Sequence, residues 1–222
     1  HLPLAAYYAV YSGYKMKDSK ATLHHSYVAL KDTVHYNYML QYLAETYYLE
    51  KDTARYLASL KEGFERVPTF PYFFPRLVEF YVDTNQLDSA MAVVDKALTI
   101  VPDSDTYLVA KSNILFEQSK LQECIKVSDK AISVNEELAD PYYNAGICYF
   151  NMAVEQDKSS QTSRKVREQV DANYRKALPY LVKYRKLQPD ELSKWAFPLY
   201  TIYLNLNMGK EFDEIDKIMK KK

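Results

Sequence analysis

The chain has 222 residues, 48% of them hydrophobic, enough for one large domain or two small ones with a sizeable core. Twenty-nine Lys and Arg balance 29 Asp and Glu, so it carries no electrostatic footprint for nucleic acid or an anionic membrane. Only 4 Gly are present, too few for the tight turns and phosphate loops that α/β enzymes use, and an all-α architecture follows. Tyr stands out at 22 residues. Its apolar ring and polar tip suit half-buried helix seams, the plainer use, and peptide-binding grooves alike. No apolar run approaches the ~20 residues that span a bilayer. The chain opens on His1 with no basic-then-apolar leader and reads as a processed or excised piece.

Residues 1–36 read as an irregular helix pair. Tyr7, Tyr11 and Tyr14 recur at i, i+4 and i+7, Ser12-Gly13 is a soft spot, and Leu23, Tyr27 and Leu30 repeat the apolar pattern. From 37 the pattern becomes regular. Residues 37–70 place Leu40, Leu43, Ala44, Tyr47, Gly63 and Pro68 in a helix–turn–helix register, with Tyr56 where a small residue is expected. Residues 71–104 repeat it through Phe74, Leu77, Val78, Tyr81, Ala90, Ala97 and Pro102, and 105–138 through Leu108, Leu115 and Ala131, with Ser112 and Glu136 as departures. At 139 Asp140 reads as an N-cap, Pro141 as the first helical residue, and Tyr142, Asn144-Ala145-Gly146 and Tyr149 resume the phase.

Starts at 37, 71, 105 and 139 hold one 34-residue period, and on these residues the chain resembles the tetratricopeptide repeat family. In 139–191 the second-helix signature comes late, because Ala177 and Pro189 stand 19 positions beyond their register. The insertion is expected to lengthen both helices by two to three turns at ~3.6 residues per turn, with KSSQTS at the tip and a kink at Pro179; a disordered insertion is the rival reading. Residues 192–222 form a capping repeat. Its first helix is expected to become regular near Pro198 and to stop near Gly209, and its second shows Phe212, Ile215 and Ile218 on one side and charge on the other. The expected fold is all-α, a solenoid of about five to six antiparallel helix pairs wound as an α-α superhelix with a concave face.

Nothing in the pattern points to catalysis, a cofactor or a metal. His24 and His25 point about 100° apart on a helix. His35 falls in a turn, and Cys124 and Cys148 form neither a CxxC nor a metal spacing and read as core thiols. Nucleophile-elbow, zincin, phosphate-loop and dinucleotide signatures are missing. Glu45, Glu79 and Glu117 recur one helix pair apart, too far for paired acid–base work.

The resemblance implies where a partner would sit. In the family the concave face is lined by set positions of each first helix, which correspond here to Tyr38, Gln41, Glu45 and Tyr48, then Tyr72, Glu79 and Asp83. Asn113, Phe116 and Glu117 follow, then Tyr143, Phe150 and Asn151, then Tyr200 and Tyr203. Such a groove is aromatic and mildly acidic and suits a peptide with apolar anchors and a basic group. One subclass clamps a terminal carboxylate with Asn and basic residues. Asn113 and Asn144 match its asparagines, but Val109, Ser193 and Phe197 stand where cations are needed, which excludes the clamp. From Tyr38 onward the chain is similar to a group of exported tetratricopeptide proteins of Bacteroidetes-type bacteria, through KDTARYLASLKEGFERVP, the insertion after NAGICYFNMAV, and the KLQPDEL and PLYTIYLNLNMGKEFDEIDKIMK ending. That likeness implies a periplasmic location, with cytoplasmic as the alternative. The expectation is a non-enzymatic scaffold that binds a protein or peptide, without nucleic acid or membrane insertion. An assembly module that self-associates through its ends or the insertion hairpin is the alternative.

Overall fold

The computed structural model describes residues 2–158 and 163–220. These form thirteen helices, α1 (Leu2–Lys15), α2 (Ser19–His24), α3 (Ser26–Ala29), α4 (Tyr36–Leu49), α5 (Thr53–Arg66), α6 (Phe73–Asp83) and α7 (Leu87–Ile100), followed by α8 (Asp105–Glu117), α9 (Leu121–Val134), α10 (Ala139–Asp157), α11 (Arg164–Leu187), α12 (Leu192–Asn205) and α13 (Gly209–Lys220). Among the described residues there is no strand. The chain divides into two compact units, His1–Ala97 and Leu98–Lys222.

The first helices α1, α4, α6, α8 and α12 end in the same way. Lys17, Lys51, Asn85 and Ser119, at intervals of 34 residues, and then Asn207, have φ between 54° and 57°. The following N–H reaches back to the last turn: Asp18 donates to the Gly13 carbonyl at 3.0 Å, Asp52 to Tyr47 at 2.9 Å, Gln86 to Tyr81 at 2.7 Å, Lys120 to Leu115 at 2.9 Å and Met208 to Tyr203 at 2.9 Å. These are Schellman turns, which satisfy carbonyls that a helix end otherwise leaves without a donor. Glycine is the usual occupant and none is used here, so only the structure reveals the device. It also shows that the irregular first pair keeps the 34-residue phase. Gly209, expected near the stop of α12, instead opens α13, and Asn207 makes the turn.

The first unit has a core of Ala6, Tyr7, Val10, Ala29, Met39, Tyr42 and Leu43. Here α1 runs unbroken through Gly13, which is no soft spot: a Cβ at this position would lie 2.6 Å from the Thr22 backbone nitrogen, so α2 rests directly on it. Gly63 plays the same part in α5, where an added Cβ would meet the Phe73 ring at 2.3 Å. Many tyrosines serve as seam packing, as Tyr14 and Tyr42 show with ring centroids 4.5 Å apart and Tyr11 and Tyr42 at 5.7 Å.

In the second unit the core runs from Ile147, Phe150 and Ala153 through Val170, Tyr174, Ala177, Leu181 and Tyr184 to Trp195, Leu199, Ile202, Tyr203 and Ile215. The insertion lengthens α10 to 19 residues and α11 to 24. Val170 is buried in this hairpin, Val154 and Val166 pack against the same core, and the Asn173 amide donates to Gln156 Oε1 at 3.1 Å. Of the expected tip KSSQTS, residues 159–162 lie outside the described residues. The start of α10 at Ala139 puts Asp140 in the first turn, not at the cap. Helix α11 continues through the exposed Pro179. Likewise α12 begins at Leu192, six residues before Pro198, and carries that proline buried within it. A mid-helix proline costs ~3 kcal/mol. Trp195, Ala196 and Leu199, all buried on the same helix, supply the apolar burial that outweighs it at ~25 cal/mol per Å².

Candidate binding groove

On α4, Gln41, Glu45 and Tyr48 fall at i, i+4 and i+7 and share one face. Around α6 the same arithmetic aligns Tyr72, Arg76, Glu79 and Asp83. The two faces border a cavity of about 430 Å³ in the first unit, lined by Glu45, Tyr48, Leu49, Tyr56, Tyr72, Arg76, Glu79, Phe80 and Asp83. Five of the groove residues read from the sequence, Glu45, Tyr48, Tyr72, Glu79 and Asp83, meet there. Gln41 supports it from behind, its amide donating to Glu45 Oε1 at 3.0 Å. Tyr38 lies off the cavity, exposed and edge-on to Phe70.

The walls are preorganised. The Tyr14 hydroxyl donates to Glu45 Oε2, and this bond to a carboxylate, with burial second, raises the Tyr14 pKa to about 12. Both Glu45 oxygens are therefore engaged. The Arg76 guanidinium lies 3.9 Å from the Tyr72 ring centroid and donates from Nη1 to the Tyr72 carbonyl at 3.3 Å. Tyr72 is buried, and its hydroxyl is pushed well above the ordinary tyrosine range, first by that burial and then by the charge of Glu45. Tyr48 and Leu49 stay open to solvent, 66% and 64% exposed, so apolar surface is left unsatisfied beside three carboxylates and one guanidinium.

Sequence reasoning had not placed Arg76, Leu49, Tyr56 or Phe80 at this site. A signal existed for two of them. Arg76 follows Tyr72 by four residues on the predicted groove face, and Tyr56 is the large side chain that replaces a small one in its helix. It projects far enough to wall the cavity, with its ring 5.2 Å from Tyr48 and 6.3 Å from Phe80.

The remaining groove positions belong to the second unit, where most side chains are committed to neighbours. Phe150 is 7% exposed and packs on Tyr174 at 5.9 Å, and Tyr203 is 5% exposed, so neither offers a ligand more than an edge. Tyr143 lies between Tyr184 at 5.1 Å and Phe116 at 6.0 Å. Asn113 Oδ1 accepts from the Asn144 amide at 2.6 Å, and the same amide donates to Ser112 Oγ at 2.9 Å. Tyr200 packs on Phe212 at 4.7 Å, Asn151 is half-buried and Glu117 is exposed. Cys124 and Cys148 are buried free thiols, and the Cys148 thiol is pushed up by its hydrogen bond to Cys124 and then by burial. Among the described residues no group of three or more His, Cys, Asp and Glu could hold a metal ion, and no helix is long and apolar enough to cross a membrane.

No family model and no curated protein matches the sequence. Solved structures do resemble the fold. MamA is 17% identical with a TM-score of 0.60, over 85% of this chain and 91% of that one. YrrB, described as a TPR protein with an unusual peptide-binding site, is 16% identical with a TM-score of 0.56, over 82% and 84%. A monomeric mutant of IFIT1 with Gppp-AAAA is 14% identical with a TM-score of 0.59, over 90% of this chain and 45% of that one. The fold is thus of the tetratricopeptide type.

Proposed function

We propose that this protein is a non-catalytic interaction scaffold that binds a peptide or protein segment in the first-unit groove between α4 and α6. The observation that carries this reading is the convergence of Glu45, Tyr48, Tyr72, Glu79 and Asp83 on one cavity of about 430 Å³, with Tyr48 and Leu49 exposed at its wall. Exposed aromatic and aliphatic side chains beside fixed charges are the anchors that peptide recognition needs. The peptide-binding site named for YrrB supports the reading by analogy of fold. The bonds from Tyr14 and Gln41 hold the Glu45 carboxylate in place as a fixed charge of the groove wall. Peptides selected from a random display library should bind the wild type and lose at least about tenfold in affinity on Tyr48→Ala with Leu49→Ala, with an unchanged melting curve. Equal affinity on that variant would remove the site from this groove.

The periplasmic location implied by the resemblance belongs to the same proposal; fractionation that leaves the protein in the cytoplasm would overturn it. A second reading, self-association, draws on Leu2, Tyr27 and Val34, exposed at 73%, 76% and 76% in the N-terminal helices and the turn that follows them. A monomer by light scattering at all concentrations would reject it. The insertion hairpin contributes less to that reading, because its Val154, Val166 and Val170 face inward.

A further inference from the structure

We infer that the first-unit groove is dipolar and selects a short peptide with a carboxylate at one end, an apolar side chain in the middle and a basic side chain at the other; this rests on the groove reading above. A second cavity, about 250 Å³, adjoins the first, for Glu45 and Leu49 line both. It extends the site to the corner of α1 and α2, where Tyr14, 34 residues before Tyr48, also lines it. Lys15 and Lys17 line that end and are exposed, with Lys15 lying over the Tyr11 ring at 5.6 Å. Glu79 and Asp83 line the opposite end, also exposed.

At the middle the half-buried Glu45 carboxylate keeps its charge, but each of its oxygens already accepts a hydrogen bond, from Tyr14 and Gln41. Leu49, the other shared residue, presents an exposed apolar side chain there. The exposed charges therefore stand at the ends, and the exposed group at the centre is the apolar Leu49. Arg76 offsets one carboxylate at the α6 end, where its guanidinium is held on Tyr72, and that end remains acidic. Glu79 and Asp83 stand four apart on one helix and repel each other, a penalty that a bound cation relieves. A peptide running acidic to basic from the α1–α2 corner toward α6 complements both ends at once.

The test selects random heptapeptides on the whole chain and on two charge-reversed variants, Lys15→Glu with Lys17→Glu, and Glu79→Lys with Asp83→Lys, all at exposed positions. Wild type should enrich one order of acidic, apolar and basic residues. Each variant should weaken the winning peptides at least about tenfold and select the opposite charge at its own end only, with binding that falls as salt rises. Comparing each peptide as free acid and as C-terminal amide tells whether the carboxylate is a side chain or the terminus. If enriched peptides carry no charge order, or bind the variants unchanged, while Tyr48→Ala with Leu49→Ala still destroys binding, the dipolar inference fails and the groove reading stands. If nothing is enriched above background, both fail.

Discussion

The same first-helix positions meet open space in one unit and neighbouring side chains in the other. In the first, Tyr48, Glu79 and Asp83 border a cavity; in the second, Phe150 and Tyr203 are buried, and Tyr143 is held between Tyr184 and Phe116. What differs is the helix opposite. The 14-residue α5 sends Tyr56 to the cavity rim, whereas the 24-residue α11 turns Tyr174 and Tyr184 inward and fills the equivalent room. A repeat position sets the direction in which a side chain points. Whether solvent or protein meets it depends on where the facing helix directs its own side chains, since Tyr56, Tyr174 and Tyr184 are equal in size.

The largest expected effect comes from breaking the filled side. Phe150→Ala should destabilise the second unit by about 3–5 kcal/mol, since it opens a cavity against Tyr174, whereas Tyr48→Ala should change stability by less than about 0.5 kcal/mol at its exposed site. Denaturant unfolding checks both, and similar losses would mean the two environments do not differ as described. Next is a feature the units share. Lys51→Gly in the first and Ser119→Gly in the second should each stabilise by about 0.5–1 kcal/mol, because glycine relieves the left-handed turn at some cost in unfolded-state entropy. Unequal shifts in chemical denaturation would show that the turns are not equivalent.

The smallest effect is confined to the first unit. Asp32 accepts from the His35 ring at 3.1 Å and from the Val34 and His35 backbone N–H groups at 2.9 and 3.3 Å, while the His35 ring stacks on Tyr7 at 4.3 Å. These bonds, the His35 ring foremost, hold the Asp32 carboxyl below its usual 3.8. A carboxyl depressed on folding contributes stability that is present above the unfolded value and is lost as pH falls through the folded one. Asp32→Asn should therefore lower the melting temperature slightly at pH 7 and flatten its decline below about 3.8. A decline as steep as that of the wild type would remove Asp32 from the acid response.

Much of the fold was legible because helix pairs recur in phase: the starts at 37, 71, 105 and 139 lie within two residues of α4, α6, α8 and α10. The long hairpin was legible too, as an insertion with apolar residues at helical spacing. Helix ends were not. The rule that looks for glycine pointed to Gly209, whereas Lys17, Lys51, Asn85, Ser119 and Asn207 accept left-handed geometry because the carbonyls they satisfy are worth the strain. Pro198 misplaced a helix start, since local propensity carries no information about the burial of Trp195 and Leu199. Of the groove, the register identified one face of the cavity but not Arg76, Phe80 or the Lys15–Lys17 end, which are joined to it only by packing.

The sequence by itself determined the all-α class, the 34-residue period and the faces on which Glu45, Tyr48, Glu79 and Asp83 lie, because hydrophobic spacing and helical geometry are local. Only the tertiary structure decided that these residues surround open space while Phe150 and Tyr203 are buried. That outcome depends on where the facing helix directs its side chain, Tyr56 to a cavity rim in one unit and Tyr174 into the core in the other, and no local pattern encodes a volume left unfilled.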